Sequence, residues 1–175
     1  MVSYILAVIT AIAVLVLDQF TKYYISNNFV MAETKPLIPH VLGITYVYNT
    51  GGAWGMLKDQ TWLLLSVTIV IMLVCIALLL KFGVKNKLMF WAITLILSGG
   101  VGNMIDRIFR GGRVIDFFDL LFMEYPVFNV ADCAIVIGAG MLLLYFLIDM
   151  IKESKQKRMI KIEQTTQESS KNENI

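Results

Sequence analysis

Four predominantly apolar segments, each long enough to cross a lipid bilayer, constrain this chain more than any other feature of its sequence. They lie at about residues 3–24, 62–80, 88–105 and 129–150. A transmembrane helix needs about 20 mostly apolar residues, and lipid-exposed backbone is satisfied only in helices or closed barrels. We therefore predict a membrane all-α fold in which four transmembrane helices form a bundle.

The composition supports a membrane protein and argues against nucleic-acid binding. The 175 residues are 58% hydrophobic and 16% charged, with a mean hydropathy of +0.72. Soluble domains are nearer about 45–50% apolar and about 25% charged. The net charge of +2 and the lack of a basic–aromatic patch do not suggest a nucleic-acid partner. We expect one membrane domain over residues 1–151 and a polar, disordered cytoplasmic tail over 152–175.

Basic residues predict the orientation of the helices, because cytoplasmic loops carry an excess of Lys and Arg. Lysines are dense in the loop 81–87 and basic residues are dense in the tail at 152–161. With four spans, this places the loop and both termini in the cytoplasm. The first segment lacks the basic start and the small-residue cleavage site of a signal peptide, so we expect it to be retained. Arg107, Arg110 and Arg113 then lie on the outer side and need a separate explanation.

The two outer connections contain strand-like sequences. Residues 40–57 carry β-branched and aromatic side chains on both sides of Thr50-Gly51-Gly52, which predicts short strands around a glycine turn. Residues 111–122 begin with Gly-Gly and continue as a second strand-like run. We therefore predict a small extracytoplasmic β element at the membrane surface.

Polar side chains in and beside the apolar segments concentrate at the outer ends. An ionisable residue within a membrane usually faces the bundle interior and indicates a functional site. A structural ion pair would explain any single one, but several clusters at one depth favour a shared function. The candidates are Asp18 and Lys22 in the first segment, Asn103, Asp106 and Arg107 at the third, Asn129 and Asp132 at the fourth, and Asp116 between them.

Carboxylates are the reactive groups that remain after the alternatives are considered. The chain has neither CxxC nor HExxH, and His40 is its only histidine, so a zinc site or a Ser/His/Asp triad is hard to build. Cys75 and Cys133 lie in apolar runs, where buried thiols are expected rather than a disulfide. Two close aspartates share a proton, so one can activate water while the other protonates a carbonyl, as in aspartic peptidases.

Five sequence blocks resemble those of lipoprotein signal peptidase, the type II signal peptidase of bacteria. They follow that family's order and spacing from the first segment to the fourth. The resemblance implies an aspartic endopeptidase of the inner membrane that removes signal peptides from diacylglyceryl-modified prolipoproteins, cutting on the N-terminal side of the lipidated lipobox Cys. The blocks are DQFTK (18–22), NTGGAWG (49–55), GGVGNMIDR (99–107), GGRVIDF (111–117) and FNVAD (128–132).

The same resemblance implies the roles of individual residues. Asp116 and Asp132 correspond to the catalytic dyad, at the outer face beside a β-cradle. No cofactor or metal is implied, the protein contacts membrane lipid, and a monomer is expected. Gly52 departs from the family, which more often has Ala there, without removing a reacting group. The implied supporting residues are Asp18, Lys22, Asn49, Gly51, Gly99, Asn103, Arg107 and Asn129.

Two other functions and two unassigned acids remain open from the residues alone. A small ion-coupled transporter would use Asp18, Asp106 and Asp132 as proton or cation sites, although such sites are usually near the bilayer midplane and between repeats. A non-catalytic assembly subunit would use the polar clusters only for helix packing. We expect Asp106 to pair with Arg107 or Arg110, and Asp119 to lie at the interface.

Overall fold

The bundle contains four long helices. The computed structural model describes the backbone of residues 1–172 and, except at positions 53, 84 and 161–172, their side chains. All four helices are long and apolar enough to span a membrane, so the predicted bundle is confirmed. The helices are α1 (Val2–Asn28), α2 (Thr61–Phe82), α3 (Lys87–Phe109) and α4 (Val130–Asn172).

Helix α3 is the centre of the bundle and contacts the other three helices. Over half of its most apolar window is buried, against about a tenth or less in each of the other helices. Small residues make this possible, because they allow two helix backbones to approach closely. A Cβ on Gly99 would collide with the Ala131 carbonyl, and one on Gly138 would lie 2.6 Å from the Ala92 oxygen. Helices α3 and α4 therefore pack backbone to backbone.

A three-stranded antiparallel sheet covers the end of the bundle where the polar residues lie. Its strands are β1 (Thr34–Ile38), β2 (Leu42–Asn49) and β3 (Val114–Leu120), in the order β1-β2-β3. The register pairs Val47 with Asp116. This confirms the predicted β element and the strand within 111–122.

One of the predicted strands is wrong. The chain after Gly51-Gly52 forms a single 3-10 turn at Ala53–Gly55 instead of returning as a strand. The Gly51 amide donates to Asn49 Oδ1 at 2.8 Å, and such a local side-chain bond competes with the strand ladder. The hairpin partner of β2 is β1, which precedes it, and β3 pairs with its other edge. Strand β1 is short and contains Pro36, and proline is tolerated on an edge strand but weakens its sequence signal.

An apolar cluster joins the sheet to α1. Ile25 packs with Tyr46, Ile115 and Phe117, all of which are buried. Because side chains alternate along a strand, Ile115 and Phe117 face α1 while Asp116 points to the other side of β3. The packing of this cluster thus determines the direction in which the Asp116 carboxyl points.

Helix α4 extends beyond the apolar segment. Its backbone is helical to Asn172, whereas the polar composition predicted disorder from residue 152; residues 173–175 lie outside the described part of the chain. An exposed pair with favourable i,i+4 spacing, Glu153 and Lys157 at 2.7 Å, supports the helix. Both cysteines are free thiols, with Cys75 buried and Cys133 partly buried.

Candidate active site

The predicted site residues come together around a cavity of about 180 Å³ at the sheet-covered end of the bundle. Asp116 reaches it from β3, and Asp132 from the first turn of α4. The segment 125–128 also lines the cavity. Phe128 belongs to the FNVAD block, but residues 125–127 were not assigned to the site from the sequence. The other predicted residues that line the cavity are Asn49, Gly51, Asn103 and Arg107.

Asp132 is part of the cap that begins α4. The Asp132 amide donates to Asn129 Oδ1 at 2.9 Å, and the Asn129 amide donates to Asp132 Oδ2 at 3.0 Å. This reciprocal pairing of the N-cap and N3 residues has the geometry of a capping box. The local sequence NVAD therefore both starts the helix and holds the Asp132 carboxyl at the cavity.

Asp116 is buried and is held by two amides. Its Oδ2 accepts from Asn49 Nδ2 at 2.9 Å and its Oδ1 accepts from Asn129 Nδ2 at 2.6 Å. Burial raises the pKa of Asp116 to about 7 from an ordinary 3.8, with a further increase from the nearby charge of Asp132, although both amide bonds act in the opposite direction. This carboxyl can therefore carry a proton near neutral pH.

Two asparagines connect the two carboxyls. Asn103 Nδ2 donates to Asp132 Oδ1 at 2.7 Å. Asn129 Nδ2, which also donates to Asp116, lies 3.0 Å from Asn103 Oδ1. The Asn103 amide is oriented by its other contacts, because a reversed amide would direct its nitrogen at the Lys22 ammonium and at Asn129 Nδ2, which are both donors. The bridge fixes the side-chain orientations of both aspartates.

A buried ion cluster lies behind the cavity. Lys22 Nζ is 2.9 Å from Asp18 Oδ2 and 3.1 Å from Asp106 Oδ2, and all three side chains are fully buried. Lys22 also donates to Asn103 Oδ1 at 3.0 Å. The sequence placed Asp18 and Lys22 at the site and Asp106 in a polar cluster with Asn103 and Arg107, with an arginine as its expected partner. The contact of Asp106 with Lys22 was not predicted.

Arg107 and Arg110 have distinct contacts. Arg107 donates to the Gly51 carbonyl at 3.0 Å, and within the described part of the chain its Nε has no partner. Asp106 pairs with Arg110 at 3.2 Å, which selects one of the two expected partners. Gly51 must lack a side chain, since a Cβ would lie 2.8 Å from the Met56 oxygen.

Asp119, the last acid considered from the sequence, does not line the cavity. Asp119 accepts a hydrogen bond from Thr45 Oγ1 at 2.7 Å, away from the residues that line the cavity. Across the described residues, no group of three or more His, Cys, Asp or Glu side chains is arranged to hold a metal ion. The cavity itself is lined by two carboxyls, Asp116 and Asp132, with amide and guanidinium neighbours.

The comparisons of this chain with known proteins by sequence and by structure are consistent with one another. A family model described as signal peptidase (SPase) II matches residues 10–148. Lipoprotein signal peptidase from Brevibacillus brevis is 40% identical over 139 residues, which cover 79% of this chain and 93% of that protein. The corresponding protein from Syntrophus aciditrophicus is 41% identical over 87% of this chain and 96% of its own length. A solved structure described as a bacterial membrane enzyme has a TM-score of 0.75 and 33% identity, with coverage of 82% and 88% of the two chains.

Proposed function

The chain belongs to the signal peptidase II family, and on this premise we propose that it cleaves its substrates with an aspartate dyad, Asp116 and Asp132. The family makes it a multi-pass bacterial membrane peptidase that removes signal peptides from lipoproteins. The finer proposal is that the substrate is a diacylglyceryl-modified prolipoprotein. The cut falls on the N-terminal side of the lipidated lipobox Cys.

The observation that carries the proposal is the unequal environment of the two carboxyls around one cavity. Asp116 has a pKa of about 7 and supplies the proton to the scissile carbonyl. Asp132 accepts two N–H donors in the first turn of α4, where the helix macrodipole favours a negative charge. We assign Asp132 as the base that takes a proton from water, because its carboxylate lies in the first turn of a helix whereas Asp116 lies in a strand.

The neighbours of the dyad have supporting roles in this mechanism. Asn49, Asn103 and Asn129 hold the carboxyl rotamers through the bonds described above. Arg107 fixes the loop at Gly51 over the cavity. The closeness of α3 to α4 at Gly99 keeps Asn103 within reach of Asp132.

A lipid-modified substrate is supported by an apolar groove next to the dyad. The groove, about 330 Å³ in volume, borders Asp132 on the side of Val136 and Ile137. These two side chains are largely exposed, as expected for surfaces that face lipid. An acyl chain could lie there while the peptide bond reaches the carboxyls.

The dyad is proposed to face the outer side of the membrane, with both termini in the cytoplasm. The cavity and the sheet lie at the end opposite the lysine-rich 81–87 loop. Neither the transporter nor the assembly-subunit alternative is favoured by the family. The orientation is tested in a variant whose two free thiols, Cys75 and Cys133, are replaced by alanine and which carries one cysteine at His40, a residue in an exposed turn. Labelling of intact cells with a membrane-impermeant thiol reagent is expected, and protection until lysis would reverse the orientation.

The cleavage position is tested with a synthetic lipobox peptide. The purified protein is incubated with the peptide carrying a diacylglyceryl-Cys and with the same peptide carrying an unmodified Cys. Mass spectrometry is expected to show a single cut before the lipidated Cys and at least about tenfold slower cleavage of the control. Equal cleavage of both peptides, or a cut elsewhere, would contradict the proposed specificity.

A further inference from the structure

The cluster Asp18–Lys22–Asp106 does not line the cavity, and the proposed mechanism assigns it no chemical step. Burying three charges carries a large desolvation penalty for each ion. All three side chains are nevertheless fully buried directly behind the dyad. Such a cluster stabilises a fold poorly compared with apolar packing, so its contacts with the backbone indicate what else it does.

Asp106 holds the backbone immediately before one dyad member. Its Oδ2 accepts a hydrogen bond from the Ile115 amide at 3.1 Å, and Ile115 directly precedes Asp116. Its other oxygen accepts from Arg110 Nε at 3.2 Å. The carboxylate therefore fixes the start of β3 relative to the end of α3.

Asp18 holds the backbone immediately before the other dyad member, Asp132. Its Oδ1 accepts a hydrogen bond from the Ala131 amide at 2.9 Å, and Ala131 directly precedes Asp132. Room for this contact exists because residue 102 is glycine: a Cβ there would lie 2.8 Å from Asp18 Oδ2. The carboxylate therefore fixes the first turn of α4 relative to α1.

Lys22 joins the two contacts through a single ammonium group. Its Nζ lies 2.9 Å from Asp18 Oδ2 and 3.1 Å from Asp106 Oδ2. The other oxygen of Asp18 accepts from the Ala131 amide. The Asp106 Oδ2 that binds Lys22 also accepts from the Ile115 amide. The route from Ile115 to Ala131 thus consists of two carboxylates and one lysine. Each carboxylate thus holds the backbone amide before one dyad member, although the residues involved come from α1, α3, β3 and α4.

We propose that Asp106 and Asp18 are paired positioning residues, linked by Lys22, that set the separation of the two dyad carboxyls by each holding the backbone amide that precedes one of them. The inference rests on the proposed dyad. It assigns to Asp106 a role in catalysis that acts through Asp116 without contact with the substrate. A misplacement of about 1 Å can cost about 100-fold in rate, so loss of one holding contact lowers turnover more than substrate binding.

The test compares Asp106→Ala with Asp119→Ala, a matched control. Both aspartates accept a hydrogen bond near β3, but Asp119 does not hold the residue before Asp116. With a diacylglyceryl-Cys peptide, Asp106→Ala is expected to lower kcat at least tenfold with KM within about threefold of wild type. Asp119→Ala is expected to keep both within about twofold. Amide hydrogen exchange at Ile115 should accelerate only in the Asp106 variant.

The Asp106→Asn variant keeps an oxygen acceptor and gives a second, conservative readout. It is expected to retain protection of Ile115 and more turnover than Asp106→Ala; if the alanine variant does not fold, this variant decides. Folded Asp106→Asn with unprotected Ile115 and wild-type kcat would overturn the inference. So would Asp106→Ala with kcat within twofold of wild type. An active Asp116→Asn control would instead overturn the dyad itself, so the two failures are distinguishable.

Discussion

Replacing Lys22 with methionine, which is similar in length and uncharged, removes the only ammonium group seen between two buried carboxylates in the described structure. Lys22 lies 2.9 Å from Asp18 and 3.1 Å from Asp106, with no exposed side-chain area. Breaking one buried pair costs about 3–5 kcal/mol, because the partner is left charged and uncompensated. Asp18 loses the one charged partner seen for it in the described structure, and the Lys22–Asn103 hydrogen bond is lost as well, whereas Asp106 keeps Arg110. We therefore expect a loss near the upper end, about 5 kcal/mol.

That loss is large compared with the stability of a typical protein, about 5–15 kcal/mol. At about 2–4 °C per kcal/mol for a chain of this size, the unfolding midpoint should fall by about 10–20 °C. Thermal unfolding in detergent micelles, followed by tryptophan fluorescence, measures it. The matched control is Lys35→Met, whose pair with Glu33 at 3.4 Å is exposed and worth at most about 1 kcal/mol.

A charge-balanced variant separates electrostatics from packing. In Lys22→Met combined with Asp18→Asn, the one remaining carboxylate, Asp106, keeps its partner Arg110. We expect this double variant to recover part of the lost midpoint. An unfolding midpoint of Lys22→Met within about 4 °C of wild type would refute the reasoning that the cluster is electrostatically coupled.

Two further predictions concern the dyad proton and the closest helix contact. Because Asp116 titrates at about 7 in the fold against 3.8 as its ordinary value, its proton is lost as the pH rises past about 7, and kcat should then fall about tenfold per pH unit. Between pH 3.8 and 7 the native state therefore binds more protons than the unfolded state. The free energy of unfolding should decrease by up to about 4 kcal/mol as the pH rises from 4 to 7. Asp116→Asn should flatten this pH dependence, and an unchanged slope would contradict the assignment of the shift to Asp116. An alanine at Gly99 would collide with the Ala131 carbonyl, and such overpacking lowers the free energy of unfolding by about 1–3 kcal/mol. At Gly140 nothing lies within 4 Å of the Cβ position, so alanine there should leave the free energy of unfolding unchanged. Equal unfolding midpoints for the two alanine variants would argue against a backbone-to-backbone contact of α3 and α4.

The helices could be predicted because hydropathy is a local property. Each apolar segment spans a bilayer by its length alone, so no tertiary information is needed to find α1 to α4. The sheet was predictable only in part. Strand β2 has a clear pattern, but its choice of β1 as partner depends on the turn at residues 39–41 and on the Asn49–Gly51 contact that ends β2. Neither feature is visible in a hydropathy or propensity pattern.

The candidate site residues could be named from the sequence because each lies in a short motif, although the pairing of Asp116 with Asp132 followed only from the family resemblance. Asn129 and Asp132 lie three residues apart and cap the same helix, so their proximity follows from helix geometry. The role of Asp106 could not be predicted, because it depends on the backbone of Ile115 reaching the end of α3. That contact is set by the packing of β3 against α1, which no local pattern records.

The central claim is that Asp116 and Asp132 work only as a pair. Its most direct test is the rate of cleavage of a diacylglyceryl-Cys lipobox peptide by purified Asp116→Asn and Asp132→Asn, with Asp119→Asn as the control. Either dyad variant is expected to fall to below about 1% of the wild-type rate, given the size of typical acid–base contributions, while remaining folded and membrane-inserted. The Asp119 variant should cleave at the wild-type rate. Normal cleavage by either dyad variant would contradict the account.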